Sequence, residues 1–291
     1  MIEAGMRVAV TGASGFCGGQ VARAVAGRGA GLLCLGRRPG PAGRHVPWDA
    51  ATDTPDLDGA DLVVHLAAAV GDPGRGRRAG EQFRAVNVDG AKRLLDAANG
   101  RPVVWVSSGS VYQVHSGTVI EDHPVAGQRT AYGRTKAAGE RLALRAGAVV
   151  LRPRAVYGRG DPHLLPRLRR AVRGGVIRLP GPDVQLSLTA VENLADACLQ
   201  AGGWPPGAYN IADARPYRRN EVVSRVLPGV RIRQVPTAVA LAAAVLMPGS
   251  EITRYAVEQL AYGLVLDIGR ARAQGWSPRL DLDDFLLASG L

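Results

Sequence analysis

Tyr132 and Lys136 stand four residues apart in the run Tyr132-Gly133-Arg134-Thr135-Lys136. The chain holds one other lysine, Lys92, and writes every remaining basic residue as arginine. On a helix, positions i and i+4 share a face with Cβ atoms roughly 6 Å apart. A cation there favours phenolate over phenol, and a compact ammonium leaves ligand room that a planar guanidinium fork would fill. The pair predicts a proton-transfer site; the competing reading is an exposed Tyr above a Lys placed by chance.

A second candidate lies near the start. Thr11-Gly12-Ala13-Ser14-Gly15-Phe16-Cys17-Gly18 joins an apolar run, 7–11, to helical spacing over 20–27. Glycines spaced this way between a first strand and a first helix permit a tight turn and close approach of backbone to a pyrophosphate. A purely structural turn is the alternative. The next apolar run, 31–35, leads into Gly36-Arg37-Arg38 rather than the carboxylate that would grip a ribose 2′-hydroxyl. Two guanidiniums suit a 2′-phosphate, so NADP(H) is favoured over NAD(H), against the simpler view of two more Arg in an Arg-rich chain.

These residues need a scaffold. The 291 residues, 46% hydrophobic but only 5% aromatic, suit an α/β enzyme more than an all-β or disordered chain. Strand-like runs at 61–67, 102–107, 148–152 and 208–212 alternate with helical stretches at 81–98, 131–145 and within 188–201. That alternation predicts a Rossmann-type doubly wound parallel sheet. Residues 1–156 are expected to bind the dinucleotide, with 188–212 returning to them. Residues 157–187 and 213–291 are expected to form a smaller, mostly helical substrate lobe, and from Pro216 the chain reads as helices and loops. A net charge of +11 invites a nucleic-acid reading, but the arginines are dispersed. The clusters Arg75-Gly76-Arg77-Arg78 and 167–170 lack interleaved aromatics, so no nucleic-acid partner is expected. Cys17, Cys34 and Cys198 form neither a disulfide framework nor a zinc spacing, and His45, His65, His115, His123 and His163 show no ligand pattern. No metal is expected. The longest apolar stretch, 238–247, is too short to span a bilayer, and a cytoplasmic location is expected.

Taken together, the motifs resemble the extended short-chain dehydrogenase/reductases, the NAD-dependent epimerase/dehydratase-like proteins. Thr11 to Gly18 looks like the family's T-G-x-x-G-x-x-G turn. His65-Leu66-Ala67-Ala68 looks like its H-L-A-A, Asn87-Val88-Asp89-Gly90 like its N-V-x-G, and Ser107-Ser108-Gly109-Ser110-Val111-Tyr112 like its S-S-x-x-V-Y. Tyr132 to Lys136 stands at the Y-x-x-x-K, and Leu151-Arg152-Pro153 through Tyr157-Gly158 resembles L-R-P-x-x-x-Y-G. The resemblance implies a catalytic set. Tyr132 is its general acid/base, Lys136 binds the nicotinamide ribose and lowers the Tyr pKa, and Ser108 holds the reacting oxygen with Ser110 as a second donor. It also implies cofactor contacts from Leu66, Ala67, Ala68, Asn87 and Ser107, from Asp49 to the adenine, and from Pro153 and Val156 near the nicotinamide. Gln113 replaces the usual Gly and Arg159 a frequent Pro, which puts the shape of the pocket in question.

The implied chemistry interconverts a ketone and a secondary alcohol by hydride transfer. Three features favour a hydrophobic or natural-product small molecule over a nucleotide sugar. The Arg37-Arg38 pair suits a reductase that releases its cofactor; Gly109 and Ser110 stand where a dehydratase carries acids; and the tail through Gly275-Trp276-Ser277-Pro278 resembles the 3β-hydroxysteroid dehydrogenase-like group. There an apolar helix, here 237–246, precedes the tail; it could cover an apolar substrate, though packing as an amphipathic stripe on its own lobe is the commoner use of such a segment. Arg154, Arg159 and Arg167 keep a nucleotide-sugar ketoreductase or epimerase open, because a diphosphate needs cations, and Arg154 is the substrate contact expected with Ser110. A non-catalytic dinucleotide sensor is the reading from another class. A homodimer through two helices per subunit is the family's expectation.

Overall fold

The alternating pattern of the first two hundred residues becomes one parallel sheet. The computed structural model describes residues 1–71, 77–113, 115, 117–128, 130–162, 164–246 and 254–290. His163, part of the first arginine cluster and the start of the tail segment at Ile252 lie outside them. Seven strands, β1 (Arg7–Thr11), β2 (Gly31–Gly36), β3 (Arg44–Pro47), β4 (Leu62–His65), β5 (Val103–Val106), β6 (Val149–Pro153) and β7 (Gly207–Ile211), run in the order β7-β6-β5-β4-β1-β2-β3. The order reverses between β1 and β4. In open α/β sheets a ligand crevice opens at such a point, beyond the strands' carboxyl ends.

Side chains alternate faces along each strand, and both faces here are covered. Val8, Val10, Val64, Val104 and Val106 pack with Val21 and Val25 of helix α1 (Phe16–Gly27) and with Leu194 and Leu199 of a helix at Val191–Ala201. On the other face, Ala9, Val63, Val103 and Trp105 meet Leu94 and Ala143. Leu94 belongs to α2, a continuous run of Arg77–Arg84, Ala85–Asp89 and Gly90–Ala98 whose middle segment is wound as a π-helix. Ala143 belongs to α3 (Ala131–Arg145). The two helices touch closely: a Cβ added at Gly139 would lie 2.3 Å from the Asn87 carbonyl.

A third apolar cluster, including Leu165, Leu168, Leu186, Leu188, Tyr217, Val222, Val223 and Leu286, sits apart from these two. It is organised by Asp213, whose carboxylate accepts from the hydroxyls of Tyr157 (2.7 Å) and Tyr217 (3.1 Å), from Ala190 N and from Asn193 Nδ2. The region after Pro216 is not only helices and loops. Tyr217–Arg218 pairs with Gln185–Leu186, Arg231–Val235 with Val176–Pro180, and Leu264–Leu266 with Gly117–Val119. Two- and three-residue segments carry too little alternation to be read as strands, and in Arg231–Val235 the alternation of Arg231-Ile232-Arg233 is lost at Gln234. Among the described residues no helix is long and apolar enough to cross a membrane.

Candidate active site

The glycine turn is held tight by contacts that exclude side chains. Gly12 has a φ of +69°, and a Cβ there would lie 2.9 Å from Ala67 N. A Cβ at Gly18 would stand 2.2 Å from the Gly12 carbonyl. Only glycine fits either place without moving backbone. α1 begins at Phe16 with Gly15 as its N-cap, no side-chain cap and no acid in its first turn. Its free amides therefore face a position that favours an anion, and the turn fits a dinucleotide pyrophosphate.

The neighbouring loop is tied to this turn through Thr11. Its Oγ1 accepts from Leu66 N and Ala67 N, both at 3.1 Å, and lies 2.8 Å from His65 Nδ1. With both acceptor positions taken, the hydroxyl proton points to Nδ1. The His65 ring is buried against Trp105 with centroids 4.1 Å apart, and burial, then the charge of Lys136, push its pKa down to about 3. His65 is thus a neutral positioning group. Asn87, in the π segment, accepts from Ala69 N and donates to Ala69 O and to Thr135 Oγ1. That amide braces the loop after β4 against α3.

Ser108, Ser110, Tyr132 and Lys136 line one cleft of about 280 Å³ together with Phe16, Cys17, Leu66, Ala68, Ser107, Pro153, Arg154 and Val156. Most of these residues follow the carboxyl ends of β1, on one side of the order reversal, and of β4, β5 and β6 on the other, while Tyr132 and Lys136 stand on α3. Thr130 caps α3 by accepting from Gly133 N, which starts the helix so that Tyr132 stands in its first turn. Ser108 caps a short 3-10 turn, Gly109–Val111; its Oγ accepts from Ser110 N (3.2 Å) and from Ser110 Oγ (3.0 Å). The Ser108 hydroxyl proton is left to donate elsewhere.

Lys136 is 4% exposed, and its Nζ donates to the Val106 carbonyl at 2.7 Å. Two N–H groups remain. Burial lowers its pKa from 10.5 to about 8, while Glu140 pulls the other way. Between those two values the unfolded chain keeps a proton that the folded chain has released. This group's contribution to stability therefore rises with pH across that window. With only two lysines in the chain, carbon NMR of protein labelled at lysine Cε should show one signal titrating near pH 8 and missing from Lys136→Met. A Lys136 signal that stays cationic above pH 10 would contradict the burial argument.

Ser107, expected beside the cofactor, lines the cleft and donates to Glu140 Oε2 at 2.5 Å. Glu140 and Arg152, 1% and 3% exposed, form an ion pair at 2.6 Å. Arg152 also reaches Tyr112 OH and the Glu121 carbonyl, and Tyr112 OH donates to Asn210 Oδ1. The sequence reading missed Glu140; its spacing of four from Lys136 on the inner face of α3 was the available signal.

Other expected residues fall elsewhere. Ser14, Gly15 and Phe16 line a second hollow of about 430 Å³, with Arg23 and Arg159 on its wall. Arg37 and Arg38 are exposed beyond β2 and do not line it. Asp49 is half-buried, and its Oδ1 accepts from Ala51 N. The helix at Thr237–Leu246 exists, yet none of its residues lines the cleft. Leu164, Leu168, Leu186, Leu188, Val222 and Leu260 form the apolar wall instead.

A Rossmann-type parallel sheet with a phosphate-fitting turn after β1 and a cleft holding Ser108, Tyr132 and Lys136 near its reversal defines a dinucleotide-dependent enzyme. The family model described as NAD dependent epimerase/dehydratase matches residues 8–212, and the chain belongs to that family, the extended short-chain dehydrogenase/reductases. The chain is 29% identical to a 2-alkyl-3-oxoalkanoate reductase of Stenotrophomonas maltophilia, over 81% of this chain and 79% of that protein. It is 31% identical to a 3 beta-hydroxysteroid dehydrogenase/Delta 5→4-isomerase of Mycobacterium tuberculosis, over 76% and 68%. A solved structure of MoeE5 with UDP-glucuronic acid and NAD superposes with a TM-score of 0.77 at 28% identity, covering 97% of this chain and 96% of that one.

Proposed function

We propose that this enzyme interconverts a ketone and a secondary alcohol on an apolar small molecule, using NAD(P). The observation that carries the reading is the single cleft in which Ser108, Tyr132 and Lys136 meet an apolar wall. A bound nicotinamide supplies or takes the hydride. Tyr132 exchanges the proton with the substrate oxygen, and Ser108 donates a hydrogen bond to that oxygen as its charge develops. Lys136, cationic below about pH 8, favours the phenolate and offers its two remaining N–H groups to the ribose. The names of the relatives, a reductase of oxoalkanoates and a hydroxysteroid dehydrogenase, support a non-sugar substrate. MoeE5, solved with UDP-glucuronic acid, supports the second reading, a nucleotide-sugar epimerase or ketoreductase. Incubation with reduced cofactor and a panel of apolar ketones, beside UDP-glucuronic acid alone, separates them. Ketone-dependent cofactor oxidation supports the first reading, whereas epimerised UDP-sugar with no ketone reduction contradicts it.

The cofactor follows from the end of β2. The two guanidiniums of Arg37 and Arg38, exposed just beyond that strand, would suit a 2′-phosphate through charge-assisted hydrogen bonds, which favours NADP(H). Arg37→Ala with Arg38→Ala should shrink the NADPH-over-NADH affinity ratio by about 10- to 100-fold, the scale of lost charge-assisted hydrogen bonds. An unchanged ratio rejects the assignment.

A further inference from the structure

The cleft holds more positive charge than ketone chemistry uses. Its lining includes four basic side chains, Lys136, Arg154, Arg167 and Arg219, and no Asp or Glu. Three of them are already engaged. Lys136 holds the Val106 carbonyl. Arg219, 1% exposed, donates to the carbonyls of Pro180, Leu260 and Gly181 and to Asn220 Oδ1. Arg154 is buried and contacts the Gln259 carbonyl at 3.5 Å. Arg167 differs: it is half-buried and makes no hydrogen bond or ion pair among the described residues.

Arg167 stands on the helix Leu164–Ala171, between Leu164 and Leu168, which line the same cleft and pack into the apolar cluster around Asp213. It lies outside the hollow beside the glycine turn, where Arg23 and Arg159 stand. A neutral apolar ligand filling the cleft would strip water from this guanidinium and give nothing back, a costly burial. An anion at the same place would offset that cost through paired, charge-assisted hydrogen bonds.

We propose that Arg167 binds a carboxylate or phosphate group of the substrate, an amphiphile whose apolar body lies along Leu164, Leu168, Leu186 and Leu188. The inference rests on the reading that the cleft holds the substrate. Binding of octanoate, octyl phosphate and octanol to cofactor-loaded protein tests it by calorimetry. At least one anion binds about 10- to 100-fold more tightly than octanol, and whichever anion does so identifies the headgroup. Arg167→Gln abolishes that gap, and Arg167→Lys, which keeps the charge, retains part of it. Octanol binding as tightly as both anions, a gap that survives in Arg167→Gln, or no binding of any probe overturns the proposal. Reduction of a methyl ketone of the same chain length is followed in parallel. Turnover of that ketone without an anion preference overturns the Arg167 role alone, whereas the absence of any carbonyl reduction overturns the ketone reading itself.

Discussion

Tyr132→Phe is expected to lower ketone turnover by about 10²- to 10⁴-fold, the usual range for a positioned acid/base group. The substitution removes one hydroxyl and keeps the ring that lines the cleft. The Ser108–Ser110 hydroxyl pair and the Lys136–Val106 bond do not involve that oxygen. The cofactor therefore still binds, and the loss falls on the chemical step. Single-turnover measurement of cofactor oxidation separates the two effects. Full turnover by the Phe variant would remove Tyr132 from the mechanism, and a loss confined to cofactor binding would make it a positioning residue.

The second large effect concerns stability. Glu140→Ala leaves the Arg152 guanidinium buried without its carboxylate and takes the acceptor from Ser107. Breaking one side of such a pair costs about 3–5 kcal/mol, a large share of the roughly 5–15 kcal/mol that holds a domain folded. The expected result is a marked drop in the urea midpoint with an unchanged slope. Removing both charges, as Glu140→Ala with Arg152→Leu, should recover part of the loss. A single-variant cost below about 1 kcal/mol, typical of exposed pairs, would contradict the network. The effect reaches function because Glu140, Lys136 and Tyr132 share α3. Through Arg152 and Tyr112 the same network holds that helix to β6 and, at Asn210, to β7.

Local pattern carried much of this legibility. The apolar runs that became β1, β2, β4, β5, β6 and β7 are buried on both faces, so each shows as a short hydrophobic block. The helix expected at 131–145 is Ala131–Arg145. The glycine turn could be read because close approach leaves no room for a Cβ at Gly12 or Gly18. The remainder depended on contacts between distant segments. The apolar wall joins Leu164 to Leu260 across a tertiary fold, and no periodicity announces that both face one cleft. The helix at Thr237–Leu246 could be read either as a substrate cover or as packing on its own lobe, and none of its residues lines the cleft, because hydrophobicity does not specify which neighbour an element packs against. In the π segment at Ala85–Asp89 the Asn87 carbonyl lies against Gly139, a contact between distant residues that its own sequence does not announce. Of the arginines beside the glycine turn, Arg23 comes from α1 and was not anticipated, while Arg159, in the loop after Tyr157, was weighed only as a cation for a substrate diphosphate.

Hydride transfer onto the substrate carbon is the central claim, and isotope transfer tests it most directly. Wild-type enzyme is supplied with reduced cofactor carrying deuterium at the nicotinamide hydride position and with an apolar ketone that it turns over. The account predicts deuterium on the carbinol carbon of the alcohol, one per molecule formed, with the hydroxyl proton drawn from solvent. Alcohol formed without the label, or label retained in the cofactor, would contradict it.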